Sequence, residues 1–211
     1  MTITVVAPKA ILLTPVAQLL TYPGQVEVAT RTCYKSEDRI SEGSATRLIR
    51  GVIKRGHESV IEHCNVSYRF ICSRAASHQI VRHRLCAFSQ ESMRYVDYGK
   101  KGFQVVVPPL ILDDQAKLKE YMSFMEECYK KYISLRNSGM RPEDARFVLP
   151  QASKTELVMT ANLREWRHVI KQRALNPHAQ WEIRSLMKAV LYELSHYLPV
   201  FFEDLLEKKY D

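Results

Sequence analysis

The sequence predicts an α+β fold: a small mixed or antiparallel sheet with several helices, one of them long, in a single domain spanning residues 1–211. Three observations predict it. The apolar period switches between two and 3.6 along the chain, as HCNVSYRFIC (63–72) against SATRLIRGVIKRG (44–56) shows. One stretch, 113–137, holds helical spacing throughout. Strands and helices do not alternate regularly, and neither a G-x-G-x-x-G nor a P-loop occurs, so no Rossmann fold is expected.

Each element has a local cause. ITVVA (3–7) reads as a short strand, and Pro23-Gly24 opens a helix running to about Tyr34. Ser44 is placed to cap a second helix, with Leu48, Ile49, Val52 and Ile53 on its apolar side and Gly56 as its stop. In 63–72, Cys64, Val66, Tyr68, Phe70 and Cys72 share one face of a strand. Ser73 then caps a helix predicted to reach about His83, with Gln79, Arg82 and His78 near one face. FQVVV (103–107) is a strand stopped by Pro108-Pro109. In the long helix, Leu118, Met122, Met125, Tyr129, Tyr132 and Ile133 form a stripe suited to core packing or a subunit contact, and Gly139 ends it. RPEDARFVLP (141–150) gives a proline-started turn, TELVMTAN (155–162) a β-rich run, and NLREWRHVIKQRAL (162–175) a helix. Asn176-Pro177 reads as the start of the last helix, whose core side is Ile183, Met187, Val190, Leu191, Leu194 and Leu198.

Composition narrows the function classes. The formal charge is +8 and the pI about 9.3, which points to anionic partners without separating nucleotides from nucleic acid. No apolar run is long enough for a membrane span, and the opening MTITVVAPKAILLTP is short and broken by prolines; a cytoplasmic protein with no membrane partner is expected. The five cysteines form no C-x-x-C pair, and the histidines do not sit at ligand spacing from them, so free thiols and no metal are expected. A nucleic-acid-binding module is the main alternative class, supported by charge and by tyrosines near arginines. Against it, the basic residues are dispersed among acids and no known binding motif is present.

The chemistry concentrates in RHRLCAFSQESMRY (82–95). Guanidinium forks grip phosphate oxygens in pairs, so arginines flanking a histidine form an anion clamp. Ser89, Gln90 and Ser92 add donors, and Arg94 adds charge. A serine nucleophile at Ser92 or a thiolate at Cys86 would need an activating base or a lowered pKa, and spacing alone supplies neither.

These residues resemble the flavin-dependent thymidylate synthases. Arg82-His83-Arg84-x7-Ser92 matches the signature of that family. His57-Glu58-Ser59-x-x-Glu62-His63, Asp144-Ala145-Arg146-x-x-Leu149-Pro150, Asn162-Leu163-Arg164 with His168 and Arg173, and Ala179-Gln180-x-Glu182-Ile183-Arg184 follow in register. The chain departs from the pattern with Ser89-Gln90 where Asn-Glu is common, and with Cys33 where a small hydroxyl residue is frequent. The resemblance implies reductive methylation of dUMP to dTMP, with methylenetetrahydrofolate as carbon donor, FAD as hydride carrier and NADPH as reductant. It implies that Arg173 activates the uracil without an enzyme nucleophile. Contacts to dUMP would come from Gln79, Ile80, Val81, Arg82, Gln90, Glu91, Ser92, Met93, Arg94, Arg146 and Arg173. Contacts to FAD would come from Ser59, Arg82, His83, Arg84, Gln90, Asn162, Leu163, Arg164 and His168, with His57 and Glu62 lining the flavin pocket. It also implies a homotetramer whose active sites are shared between subunits, and no nucleic-acid partner. A flavin-dependent oxidase, or a catalytically idle flavin binder with the same fold, is a third option.

Overall fold

A computed structural model describes residues 3–206. The strands are β1 (Ile3–Val5), β2 (Lys9–Leu12), β3 (Asn65–Ser73), β4 (Ala87–Gln90), β5 (Phe103–Val105) and β6 (Lys154–Asn162). The principal helices are α1 (Tyr22–Thr32), α2 (Ser44–Lys54), α3 (Arg74–Ile80), α4 (Gln115–Asn137), α5 (Leu163–Ile170), α6 (Trp181–Tyr197) and α7 (Pro199–Leu206). β1 and β5 pair in parallel, Ile3 opposite Phe103, and the other four strands form a sheet in the order β2-β3-β6-β4. The mixed α+β class is as the sequence predicts.

The chain packs as two compact units, divided within β3 at Phe70 and within β6 at Val158. The first comprises residues 3–9, 70–82 and 89–157. Its core joins the long helix to the strand region: Met125, Tyr129 and Tyr132 of α4 pack with Phe103, Val105 and Tyr98. Leu118, Met122 and Ile133 pack partly buried against them, so the predicted stripe serves this core. Phe103 stacks on Tyr129 with ring centroids 5.2 Å apart.

The second unit comprises residues 10–69, 83–88 and 158–206. Here Val66 and Tyr68 of β3 are fully buried, as period-two alternation demands. Tyr68 meets Trp166 of α5 edge to face at 5.3 Å, and the indole N–H donates to Val66 O at 3.0 Å. The predicted core side of α6, Ile183 through Leu194, is buried as well.

The structure corrects several boundaries. Ser73 does cap α3, accepting from Ala76 N at 3.0 Å, but the helix ends at Ile80 rather than near His83. A continued helix would carry Arg82, His83 and Arg84 around one turn; instead the chain turns, burying His83 and leaving both arginines exposed. Ser44 is the first residue of α2, not its cap; the cap is Gly43, in the left-handed region at φ 71°, where glycine carries no Cβ penalty. Asn176 does not cap the last helix. Its Oδ1 accepts the His178 amide at 2.9 Å in a local turn, and Gln180 caps α6 through Glu182 N and Ile183 N. The long helix is capped by Asp114 and begins at Gln115. β2, β4 and α7 were not expected from the sequence.

Candidate active site

α5 begins where β6 ends, and Asn162 marks the junction: its Oδ1 accepts Glu165 N at 2.8 Å, capping the helix. The cap leaves the side-chain amide N–H groups of Asn162 for other partners. After Ile170 the chain widens into a π-helical turn, Lys171–Leu175, that carries Arg173. Single π turns within helices recur at functional sites.

Three elements of the second unit converge beside this helix: the 3-10 turn Glu58–His63, the 83–88 segment, and α5 with its π turn. They enclose a cavity of about 640 Å³ lined by Glu58, Glu62, Leu85, Asn162, Arg164, Glu165, His168 and Lys171. That volume falls in the range of cofactor pockets. Arg164 reaches Glu62 at 2.5 Å across the rim, both side chains about half exposed. Arg164 and Lys171, with the Asn162 amide and the His168 imidazole, can grip a pyrophosphate, while the three carboxylates of the lining, Glu58, Glu62 and Glu165, can accept from ribose hydroxyls and ring N–H groups. The residues present therefore fit a flavin dinucleotide.

Beside the cavity lies a tight polar cluster. Arg173 donates from Nε to His83 Nε2 at 3.1 Å, and the His83 and His168 rings meet edge to face at 6.1 Å. Because Nε2 accepts, the His83 ring proton belongs on Nδ1. Burial, with the neighbouring Arg173 guanidinium and His168, lowers the His83 pKa to about 4, so the ring is neutral at pH 7. The terminal nitrogens of Arg173 take no partner among the described residues, which leaves the planar end of the guanidinium for a ligand. His83, Glu165 and His168 also bring possible ligand atoms within 4.8 Å of one another. In this arrangement the His83 Nε2 lone pair already accepts the Arg173 N–H, and Glu165 accepts the Cys86 thiol at 3.9 Å.

Two predictions follow from this cluster. The folded-state pKa of His83 lies below its unfolded value near 6.5, so the unfolded chain binds the extra proton first. Stability attributable to His83 is complete above pH 6.5 and is lost as pH falls toward 4, by up to about 3 kcal/mol. Denaturant unfolding of His83→Gln between pH 4 and 7 should show a shallower slope than the parent chain. The second concerns Cys86, whose thiol is pushed up to about 12 by burial and by the Glu165 carboxylate. It is a protonated thiol at neutral pH and no nucleophile. Alkylation at pH 7 followed by peptide mapping should label the exposed Cys33 well before Cys86.

The first unit holds a second set of predicted residues. A cavity of about 380 Å³ is lined by Arg74, His78, Met93, Arg146, Phe147, Leu149, Pro150 and Gln151. Arg146 of the A-R-x-x-L-P segment spends only its Nε, donating to Glu143 O at 3.0 Å. The Glu143 carboxylate balances Arg94 at 3.2 Å and Arg141 at 3.1 Å. Gln90 donates to Ser77 Oγ and Thr155 Oγ1, while Glu91 holds Lys154 and the Tyr98 hydroxyl. Two amides of the 90–94 run are also committed, Glu91 N to Glu156 O and Arg94 N to Ser92 Oγ. Ser92 takes no side-chain base among the described residues.

The predicted residues thus fall into two groups. Asn162, Arg164, His168 and Glu62 line the larger cavity, with His83 and Arg173 in the adjoining cluster. Met93 and Arg146 line the smaller one. His57, Ser59, Arg82 and Arg84 are exposed and line neither, and the Ile80 and Leu163 side chains are fully buried. Leu85, Glu165, Lys171 and Arg74 were not expected from the sequence, and Glu58, part of the His57-Glu58-Ser59 motif, was given no role there. Glu165 and His168, three residues apart on α5, were the available signal for one of them.

Comparison with known proteins identifies the family. The family described as thymidylate synthase complementing protein matches residues 18–200. The flavin-dependent thymidylate synthase of Geobacter sulfurreducens is 37% identical over 186 residues, covering 85% of this chain and 80% of the relative. That of Pyrococcus furiosus is 37% identical over 164 residues, covering 76% and 67%. That of Mycobacterium tuberculosis is 36% identical over 200 residues, covering 86% and 79%. Among solved structures, a UMP/dUMP methylase from Streptomyces cacaoi bound with 5-Br dUMP shares the fold, with TM-score 0.82, 23% identity, and coverage of 98% of this chain and 97% of that one. Family-wide motifs, a cavity suited to a flavin and relatives aligned over most of their length lead to one conclusion: the chain is an enzyme of the flavin-dependent thymidylate synthase family.

Proposed function

We propose that this chain converts dUMP to dTMP by reductive methylation, as one catalytic domain and with FAD, NADPH and methylenetetrahydrofolate. Carbon five of the uracil gains the methylene carbon of methylenetetrahydrofolate and loses its proton. The methylene becomes methyl on receiving a hydride drawn from NADPH, and tetrahydrofolate leaves. When bound, FAD supplies that hydride; the remaining work of the protein is binding, orientation and charge.

Arg173 is the group that activates the substrate. Its guanidinium stays positive and stabilises the uracil ring with its N–H ionised, which makes carbon five electron-rich. His83 accepts the Nε–H and so fixes the plane of the guanidinium without competing for its terminal nitrogens. The single observation that carries this reading is that contact, beside a cavity whose donors suit a flavin. Asn162, Arg164, His168 and Lys171 would hold the flavin, whose phosphates favour the two cations. Arg146, with Arg74 and His78 beside it, would receive the dUMP phosphate, and Arg82, Arg84, Arg94 and the 90–94 run would complete the nucleotide and flavin contacts. Exposed guanidiniums at 82 and 84 suit a homotetramer in which neighbouring subunits complete each active site. Among the described residues no helix is long and apolar enough to cross a membrane, and the cytoplasm is the proposed location.

An absorption spectrum tests the proposal. Protein incubated with FAD and freed of excess should retain flavin absorbance that NADPH bleaches. A colourless protein that instead shifts DNA at low salt would replace this reading with nucleic-acid binding.

A further inference from the structure

The second unit contains another concave surface, formed by α1, α2 and the connection between them. This cavity, about 390 Å³, is lined by four arginines, Arg31, Arg39, Arg47 and Arg55, together with Ser41 and Ser44, and by no carboxylate. It shares no lining residue with the flavin-sized cavity.

The four arginines differ in their partners. Arg31 is neutralised: its Nε and Nη2 lie 3.1 and 2.9 Å from Glu27 Oε1, and both side chains are largely buried. Ser44 Oγ lies 2.7 Å from the same carboxylate oxygen, so this trio ties α1 to the start of α2. Arg39, Arg47 and Arg55 have no carboxylate partner among the described residues, and all three are exposed. Arg55, after the last turn of α2, also complements the helix dipole. That explanation does not extend to Arg47, near the N-terminal end of α2 where a cation gains nothing from the dipole, or to Arg39 in the preceding 3-10 turn.

The spacing along α2 makes the surface concave. Arg47, Gly51 and Arg55 stand four apart on one stripe of the helix. Glycine inside a helix is unfavourable relative to alanine. Here a Cβ on Gly51 would approach Arg55 Nη1 at 3.3 Å, so the missing side chain gives the Arg55 guanidinium its place over the helix. Three uncompensated guanidiniums around one recess repel each other until an anion enters, and two serines offer hydroxyls beside them.

We propose that this cavity binds a phosphate-bearing anion of at least two negative charges, either free in solution or carried by a nucleotide cofactor. The test is calorimetric titration of FAD-saturated protein with pyrophosphate at low salt, with the flavin-to-protein absorbance ratio read on each sample. That ratio reports the flavin reading separately. Binding is expected in the parent chain, with affinity reduced about tenfold or more in Arg39→Gln/Arg47→Gln. Gly51→Ala should raise thermal stability yet weaken pyrophosphate roughly threefold by displacing Arg55, a combination that a purely structural stripe would not give. Displacement of pyrophosphate by NADP+ but not NAD+ would identify a nucleotide 2′-phosphate as the source; displacement by neither would identify the free anion. No pyrophosphate heat in the parent chain, or unchanged affinity in the double variant, would overturn the proposal.

Discussion

Replacing Arg173 by alanine is expected to lower the rate of dTMP formation by about 10²–10³-fold, the usual cost of removing one preorganised donor aimed at developing charge. The substitution deletes the group proposed to stabilise the ionised uracil. It leaves the cavity lining, Asn162, Arg164, His168 and Lys171, in place, so flavin should stay bound with near-parental affinity. Arg173→Lys should rescue little, because an ammonium supplies neither the planar fork nor the Nε–H that engages His83 at 3.1 Å. Steady-state rates with a parallel flavin titration distinguish the outcomes. Turnover near the parental value would remove Arg173 from the mechanism.

The second large effect concerns an arginine six residues earlier with a different task. Arg167 is 2% exposed and binds Glu58 at 3.1 Å through Nε and Asp204 at 2.7 Å through Nη1, with a further bond to the Phe201 carbonyl. It ties the 3-10 turn that carries Glu58 and the α7 helix to α5. Arg167→Ala would take the guanidinium from Glu58 and Asp204, whose side chains are 18% and 36% exposed, so the loss should fall at the low end for a broken buried pair, about 3 kcal/mol. For a chain of this size the thermal midpoint should fall by roughly 10 °C. Because Glu58 also lines the cavity, flavin affinity should drop as well. Neutralising all three groups in Arg167→Met/Glu58→Gln/Asp204→Asn should recover much of the stability. A single alanine variant that melts with the parent would show that the cluster carries little of the fold.

These two arginines mark how far the sequence could be read. Both lie on one stretch, REWRHVIKQR, with similar neighbours. Nothing local tells that Arg167 points into acid from α7 while Arg173 rides a π turn beside His83, since their partners lie 37 and 90 positions away. Patterns with a local cause were legible. The alternation of β3, the cap at Ser73 and the stripe of α4 all depend on neighbours within a few residues. The short β2 and β4 escaped because they are the edge strands of their sheet, carry four residues each, and show no clean alternation. Asn176-Pro177 misled for a physical reason. Asn176 sits in the extended region, as a residue before proline prefers, and its side chain closes a local turn five residues before the helix begins at Trp181. The motifs pointed to Asn162, Arg164 and His168, yet Lys171, outside every motif, and Glu58, quoted in one without a role, join their pocket only through tertiary folding.

Formation of dTMP is the most direct measure of the central claim. Purified chain should be stripped of flavin, then incubated with dUMP, methylenetetrahydrofolate and NADPH, with and without FAD, and the nucleotides separated by chromatography. dTMP should appear with FAD present, fall to background without it, and fall again in Arg173→Ala reloaded with FAD. Equal dTMP in the flavin-free reaction, or none in the complete one, would contradict a guanidinium-activated, flavin-dependent methylation.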